Sequence, residues 1–123
     1  MRKQVKIQES QAVLRKALIN ACKRLNLDQK DLSQILGFSE ATASRLFNNA
    51  AYIKPNSNEW ALAVLFLRMY RSLDSLFGGN ESQCRLWMDS NNNYLRGTPR
   101  ELIKTIQGLF EVTQYLDAYR GLA

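Results

Sequence analysis

Residues 39–48 carry several hydrogen-bonding side chains at the spacing of one helix face. Arg45 has a guanidinium that can donate two parallel hydrogen bonds, which fits the O6 and N7 atoms of guanine. Asn48 has an amide that suits adenine or a phosphate, and the serine hydroxyls suit phosphates or bases. The candidates in this stretch are Ser39, Glu40, Ala41, Ser44, Arg45 and Asn48. Together they have the chemistry of a surface that recognises base edges and phosphates.

Two short helices joined by a tight turn would position these side chains. The apolar spacing predicts one helix over residues 28–36 and a second over residues 39–48, with Ser39 as its N-cap. Gly37 suits the left-handed position that ends the first helix. The inward side chains are Leu32, Ile35, Leu36, Ala43, Leu46 and Phe47. The pattern predicts a helix-turn-helix unit whose second helix enters the major groove of DNA.

The segment "QKDLSQILGFSEATASRLFN" resembles the helix-turn-helix of the phage λ repressor and of Xre-type regulators, including the closing "LFN". The resemblance implies double-stranded DNA as a partner. The backbone N–H groups of Gln29 and Lys30 begin the first helix and are candidates to hold a phosphate. A plain helical hairpin without a DNA role is the alternative.

The distribution of charge agrees with a polyanionic partner. Residues 1–55 hold ten Lys and Arg against four acids, so 10 − 4 = +6, which is the whole net charge of the chain. Residues 56–123 hold seven of each sign and are neutral. We therefore expect the polyanion to bind the first half of the chain.

Several function classes lack support. The chain has no histidine and no glycine-rich phosphate loop, and the acid pair Asp74 and Glu81 is poor support for catalysis, so we predict no enzyme, cofactor or metal. Cys22 and Cys84 lack metal-type spacing and fall in helical patterns, which indicates reduced core thiols. The N-terminus does not resemble a signal peptide, and the longest apolar run, 60–67, is too short to span a bilayer. We predict a cytoplasmic protein.

Helical spacing continues through the rest of the chain and predicts six or seven helices and no sheet. The fold class is all-α, with a λ repressor-like helix-turn-helix in residues 1–55 and a helical bundle in residues 56–123. The boundary is placed at "YIKPNSN", because Pro55 cannot lie inside a helix. The run "WALAVLFL" is apolar on every face of its helix, so other helices or a second chain must cover it, and we predict a homodimer. The other helices are expected from Ser10 to about Leu25, from Asn58 to Phe77, after Asn80, and from about Arg100 and Phe110.

The segment "NNNYLRGTPRELI" contains more than a helix start requires. Thr98 is a predicted N-cap, Pro99 suits the first helical position, and Glu101 is placed to complete a capping box. Gly97 is expected to supply a turn that a bulkier residue would resist. These features leave "NNNYLR" unexplained, and a bare connector has no need of its tyrosine, leucine and arginine.

The region around this segment is similar to the C-terminal toxin-binding domain of the Xre/MbcA/ParS antitoxins. The family has a Trp-apolar pair, an Asn-rich turn, a Leu-x-Gly-x-x-Pro motif and helices that end near glycines. The matching residues are Trp87, Met88, Asn91 to Asn93, Leu95 to Pro99, Gly108 and Gly121. The similarity extends over residues 56–123.

The resemblance implies an antitoxin that covers the NAD cleft of a RES-domain toxin, and a complex that represses its own operon. Such toxins consume NAD or transfer ADP-ribose from it. The candidate toxin contacts are Asn93, Tyr94, Leu95, Arg96, Gly97, Arg100, Tyr119 and Arg120. Most of these side chains are expected to be exposed. The alternative is a stand-alone dimeric helix-turn-helix repressor whose second half only dimerises.

Overall fold

The computed structural model describes residues 2–121, which form seven α-helices. The helices are α1 (Arg2–Leu25), α2 (Gln29–Leu36), α3 (Glu40–Phe47), α4 (Asn58–Leu76), α5 (Glu81–Asp89), α6 (Pro99–Leu102) and α7 (Ile106–Tyr119). No strand occurs in this range, where a single isolated bridge joins Asn92 and Gly97. The all-α prediction is therefore confirmed.

One hydrophobic core holds the helices together. Buried side chains from α1 to α5 and from α7 form a single cluster, which includes Leu18, Leu32, Phe66, Met88 and Leu109. Helix α4 is central, because it packs against α1, α2, α5 and α7. The loop between α3 and α4 contains Pro55, and the core is continuous across it. The two halves of the chain are thus packed as one body.

Local signals explain the helix-turn-helix. The Asp28 side chain accepts a hydrogen bond from the backbone of Asp31 and Asp31 returns one, so a complete capping box begins α2. Gly37 ends α2 with φ 76°, a conformation that costs glycine little. The Ser39 side chain then caps α3 through the backbone N–H of Thr42. Both predicted helices are confirmed.

Helix α1 begins at Arg2, eight residues before the expected start at Ser10. The side chains of residues 2–10 are all exposed, so no apolar stripe marked this stretch in the sequence. Its lysine, arginine, glutamine and glutamate residues have high helix propensity, which accounts for the extension. The apolar run of α4 is only partly covered, since Val64 remains 50% exposed and Ala61 is also exposed.

The predicted start of the helix after Gly97 is partly wrong. Pro99 does take the first position of α6, but Thr98 makes no side-chain cap and Glu101 pairs with Lys104 instead. The helix ends after four residues, because the chain turns at Ile103 and Thr105 caps α7. The break therefore precedes Gly108, which lies in the first turn of α7.

Candidate nucleic-acid and protein interfaces

Helix α3 presents the side chains expected to face DNA. Ala43 and Leu46 are fully buried, and the rest of the helix turns outward from them. Glu40, Ala41, Arg45 and Asn48 are exposed, and Ser44 is half-buried. The structure thus brings the predicted residues of α3 onto one outer face, as the 3.6-residue period requires.

Hydrogen bonds within α3 preorganise this face. The Arg45 guanidinium donates to Thr42 Oγ1 over 3.2 Å. Asn48 Nδ2 donates to Ser44 Oγ over 3.4 Å. Arg45 has five N–H donors, so most of them are left for another molecule. Ser39 Oγ is occupied as the helix cap, which leaves it less suited to bind a phosphate or base.

The start of α2 is less favourable to phosphate than the sequence suggested. Gln29 and Lys30 form its first turn, and Lys30 is exposed. However, the carboxylates of Asp28 and Asp31 already lie at this helix end in the capping box. Their negative charge offsets the attraction of the helix dipole for a phosphate.

A basic groove along α1 was not found from the sequence. It has a volume of about 620 Å³ and lies between α1 and the end of α3. Lys16 and Lys23 line it at a spacing of seven residues, together with Asn20 and Asn49. Arg15, also in its lining, donates to the Ala51 carbonyl over 3.2 Å. The spacing of these two lysines was the signal that could have identified the groove.

The segment 92–97 forms a closed loop. The backbone N–H of Asn92 donates to the Gly97 carbonyl over 2.8 Å, and that of Arg96 donates to the Asn92 carbonyl over 2.8 Å. Asn92 Oδ1 also accepts from the backbone of Leu95. The positive φ of 61° belongs to Arg96, so the turn at Gly97 does not depend on the conformational freedom of glycine. Gly97 instead lies close to Leu102, where a Cβ would come within 3.0 Å of the leucine side chain.

The loop places Tyr94 in a row of aromatic rings. Tyr94 is 78% exposed, and its ring centroid lies 5.1 Å from that of Tyr115. Tyr115 in turn lies 5.0 Å from Tyr119 and 6.3 Å from Trp87. We call Tyr94, Leu95, Arg96, Tyr115 and Tyr119 the tyrosine surface. These residues line a groove of about 710 Å³, and Leu95 also packs against the core.

The hydroxyl groups of the tyrosine surface are linked. Tyr115 donates to the Tyr119 hydroxyl over 3.3 Å. This hydrogen bond and the nearby Tyr115 charge raise the pKa of Tyr119 above its ordinary value. Tyr119 is therefore protonated at neutral pH, and it presents an aromatic face and a neutral hydroxyl at this surface.

Arg100 is not the exposed side chain expected from the sequence. Its guanidinium donates to Asp89 Oδ1 over 2.7 Å, to Asp31 Oδ2 over 2.9 Å and to the Asn26 carbonyl over 2.8 Å. Only 19% of its side chain is exposed. Burial tends to raise the pKa of Asp31, but hydrogen bonds from the Asp28 backbone and Lys104, with the charge of Arg100, lower it. Arg100 therefore joins the two halves of the chain.

The two remaining candidates differ in their surroundings. Asn93 is exposed, and its Oδ1 accepts a hydrogen bond from Asn91 Nδ2 over 3.2 Å. Arg120 is also exposed, but its Nη1 donates to Ser72 Oγ over 3.0 Å. The guanidinium of Arg120 is thus held against α4.

Comparison with known families gives one match for each half of the chain. Residues 6–68 match the antitoxin Xre-like helix-turn-helix domain. The chain belongs to the Xre-like antitoxin family. Residues 72–121 match the antitoxin Xre/MbcA/ParS C-terminal toxin-binding domain, so the tyrosine surface lies within the toxin-binding range of the antitoxin. A search of curated proteins found no match.

The first match ends at residue 68 and the second begins at residue 72, both inside α4, the central helix of the antitoxin. The first range contains the exposed face of α3 and the basic groove, and the second contains the tyrosine surface and Arg100. Neither matched family is a family of enzymes. Within residues 2–121, no helix of the antitoxin is both long and apolar enough to cross a membrane.

Proposed function

We propose that this antitoxin neutralises a RES-domain toxin by covering its active-site cleft, and that it represses its own operon through the helix-turn-helix. Residues 1–55 are assigned to promoter DNA, and residues 56–123 to the toxin and to dimerisation. The protein acts in the cytoplasm as a homodimer. The tyrosine surface is the observation that carries the proposal.

Three properties suit the tyrosine surface to a protein partner. The closed loop fixes Tyr94 before binding, so little conformational entropy is lost when a partner docks. Tyrosine and arginine are enriched among residues that dominate interface energies, and Tyr94, Tyr119 and Arg96 are exposed together. The groove beside them is also lined by Glu111 and Gln114, which can form the polar rim of an interface.

The double variant Tyr94→Ala with Arg96→Ala tests the toxin assignment. We expect it to fold and bind promoter DNA as the parent does, but to bind the protein encoded by the neighbouring reading frame at least about tenfold more weakly. Growth of cells that express that protein reports neutralisation. Ile106→Ala is a matched control, because Ile106 is exposed on α7 outside the groove. Normal growth with the double variant at native expression would contradict the assignment.

The face of α3 and the basic groove support the operon role. Arg45→Ala should weaken promoter binding by about 1–3 kcal/mol if it contacts a guanine, with a smaller loss on unrelated DNA. Lys16→Ala with Lys23→Ala should weaken binding to every sequence and reduce its dependence on salt. Arg71→Ala removes an exposed charge from α4 and serves as the control. Equal promoter affinity of parent and Arg45→Ala at matched salt would refute the base contact.

Exposed apolar side chains support the homodimer. Val13 on α1 and Val64 on α4 are 68% and 50% exposed, and a second copy would cover them. Two helix-turn-helix units would then suit a site with two-fold symmetry. Sedimentation that finds only monomer at micromolar concentration, with and without the toxin, would contradict this. A dimer that co-purifies with no operon partner would favour a stand-alone repressor.

A further inference from the structure

A buried carboxylate lies between α4 and α7, close to the end of the last helix. Asp117 is only 4% exposed, and a carboxylate in such a place must be paired to be tolerated. Its Oδ2 accepts from Arg68 Nε over 2.8 Å, and the Nη2 atom of Arg68 lies 2.7 Å away. Its Oδ1 accepts from the Ser72 hydroxyl over 2.6 Å. Asp117 thus fixes one edge of the Arg68 guanidinium.

The same carboxylate acts on a second arginine through Ser72. The Ser72 hydroxyl donates its proton to Asp117, so its oxygen lone pairs are left to accept, and Arg120 Nη1 donates to them over 3.0 Å. Ser72 is fully buried. Two guanidinium groups are therefore held at the two ends of one Asp117–Ser72 unit.

Both arginines keep donors that face solvent. The Arg68 side chain is 58% exposed although one edge is bound to Asp117, and Arg120 is exposed as well. A guanidinium has five N–H groups, so each arginine can still donate to another molecule. Two positive charges and one negative charge leave the cluster with a net charge of about +1, which favours an anionic ligand.

We propose that Asp117 and Ser72 position Arg68 and Arg120 as a paired site for a carboxylate of the toxin. The proposal rests on the proposed function and extends the toxin surface to Arg68, a residue outside the C-terminal family range. Arg120 directly follows Tyr119 of the tyrosine surface at the end of α7. The planar fork of a guanidinium matches a carboxylate, and prior fixation of both groups reduces the entropy lost on binding.

The charge of Arg68 can be tested with a matched control on the same helix. We expect Arg68→Gln in the full chain to bind the protein encoded by the neighbouring reading frame about tenfold more weakly, because a charge-assisted pair is lost. Arg71→Gln removes the same charge three residues later on α4, and Arg71 forms no ion pair with the described residues 2–121. We expect it to change the affinity for the toxin by less than about twofold. Higher salt should narrow the difference between the parent and Arg68→Gln.

The positioning role of Ser72 needs a separate readout, because a buried substitution also affects stability. Ser72→Ala keeps both arginines, but it removes the hydrogen bond to Asp117 Oδ1 and with it the link to Arg120, while Arg68 stays paired with Asp117 Oδ2. We expect it to weaken toxin binding severalfold in the parent and to have no further effect in Arg120→Gln, because both changes break the same contact. Thermal unfolding of each variant shows whether the fold is retained, and Ser72→Thr, which keeps the hydroxyl, should restore affinity.

The outcomes separate this inference from the proposed function. If Tyr94→Ala with Arg96→Ala impairs binding but Arg68→Gln equals Arg71→Gln, the arginine pair is refuted and the tyrosine surface stands. If Ser72→Ala and Arg120→Gln act additively, the positioning role is refuted. If the parent does not bind the protein encoded by the neighbouring reading frame, both the toxin assignment and the arginine pair are refuted.

Discussion

Arg100 offers the sharpest test of how the two halves of the antitoxin are held together. Its guanidinium lies among Asp31 of α2, Asp89 of α5 and the carbonyl groups that end α1. We propose the change Arg100→Gln, which keeps most of the side-chain length and removes the charge. The change leaves Asp31 with Lys104 as its remaining cation, at 3.3 Å.

The magnitude follows from the surroundings of each contact. Removing one partner of a fully buried ion pair costs about 3–5 kcal/mol. Arg100 is 19% exposed, and Asp89 is 49% exposed, so solvent screens the Asp89 pair, which contributes at most about 1 kcal/mol. Lys104 continues to compensate Asp31. We therefore expect the free energy of unfolding to fall by about 2–3 kcal/mol, a large part of the usual 5–15 kcal/mol.

Urea unfolding at neutral pH, followed by far-ultraviolet circular dichroism, measures this loss. Arg71→Gln is the control and should stay within about 0.5 kcal/mol of the parent. In a double-mutant cycle, Arg100→Gln with Asp31→Asn should show a coupling energy of at least about 1 kcal/mol. If Arg100→Gln unfolds within about 0.5 kcal/mol of the parent, the contacts do not stabilise the fold and the reasoning is wrong.

Four further changes test other parts of the fold by urea unfolding. Gly108→Ala should lower the free energy of unfolding by about 2–3 kcal/mol, because a Cβ would overlap the Leu102 carbonyl oxygen. Gly97→Ala should lower it less, because its Cβ would meet only the Leu102 side chain, which can move. Arg96→Gly should stabilise by about 0.5–1 kcal/mol by relieving the positive φ. Burial and the nearby carboxylates of Asp31 and Asp28 raise the pKa of the Cys22 thiol from 9.0 to about 12. The protonated thiol therefore contributes stability that is fully present below pH 9.0 and is lost as the pH rises towards 12. The stability difference between the parent and Cys22→Ala should therefore narrow above pH 9.0.

The helix-turn-helix was predictable because its signals are local. Asp28, Gly37 and Ser39 each act within three or four residues of their own position, and the apolar side chains between them repeat at helical spacing. A single sequence contains all of this information. The outward direction of Arg45 then follows from the burial of Ala43 and Leu46.

The second half was harder to predict because its contacts are distant in sequence. Arg100 follows a proline at a helix start, where an exposed cation is a reasonable expectation, but its partner Asp31 lies 69 positions away. Gly108 resembles a helix end, yet its function is to let the Leu102 carbonyl approach α7. The roles of Arg100 and Gly108 both depend on contacts that form only when the chain is folded.

The packing adds to the charge difference between the two halves, of which the first holds the whole net charge of +6. Cations of the second half are used within the fold: Arg85 donates to the carbonyl groups of Lys23 and Arg24, and Arg100 donates to that of Asn26. These carbonyls end α1, where the helix dipole favours positive charge. Meanwhile Lys16, Lys23 and Arg45 remain exposed on the side that bears α3 and the basic groove. A chain with this arrangement can attract DNA to one half while its other half presents a nearly neutral aromatic surface to a protein.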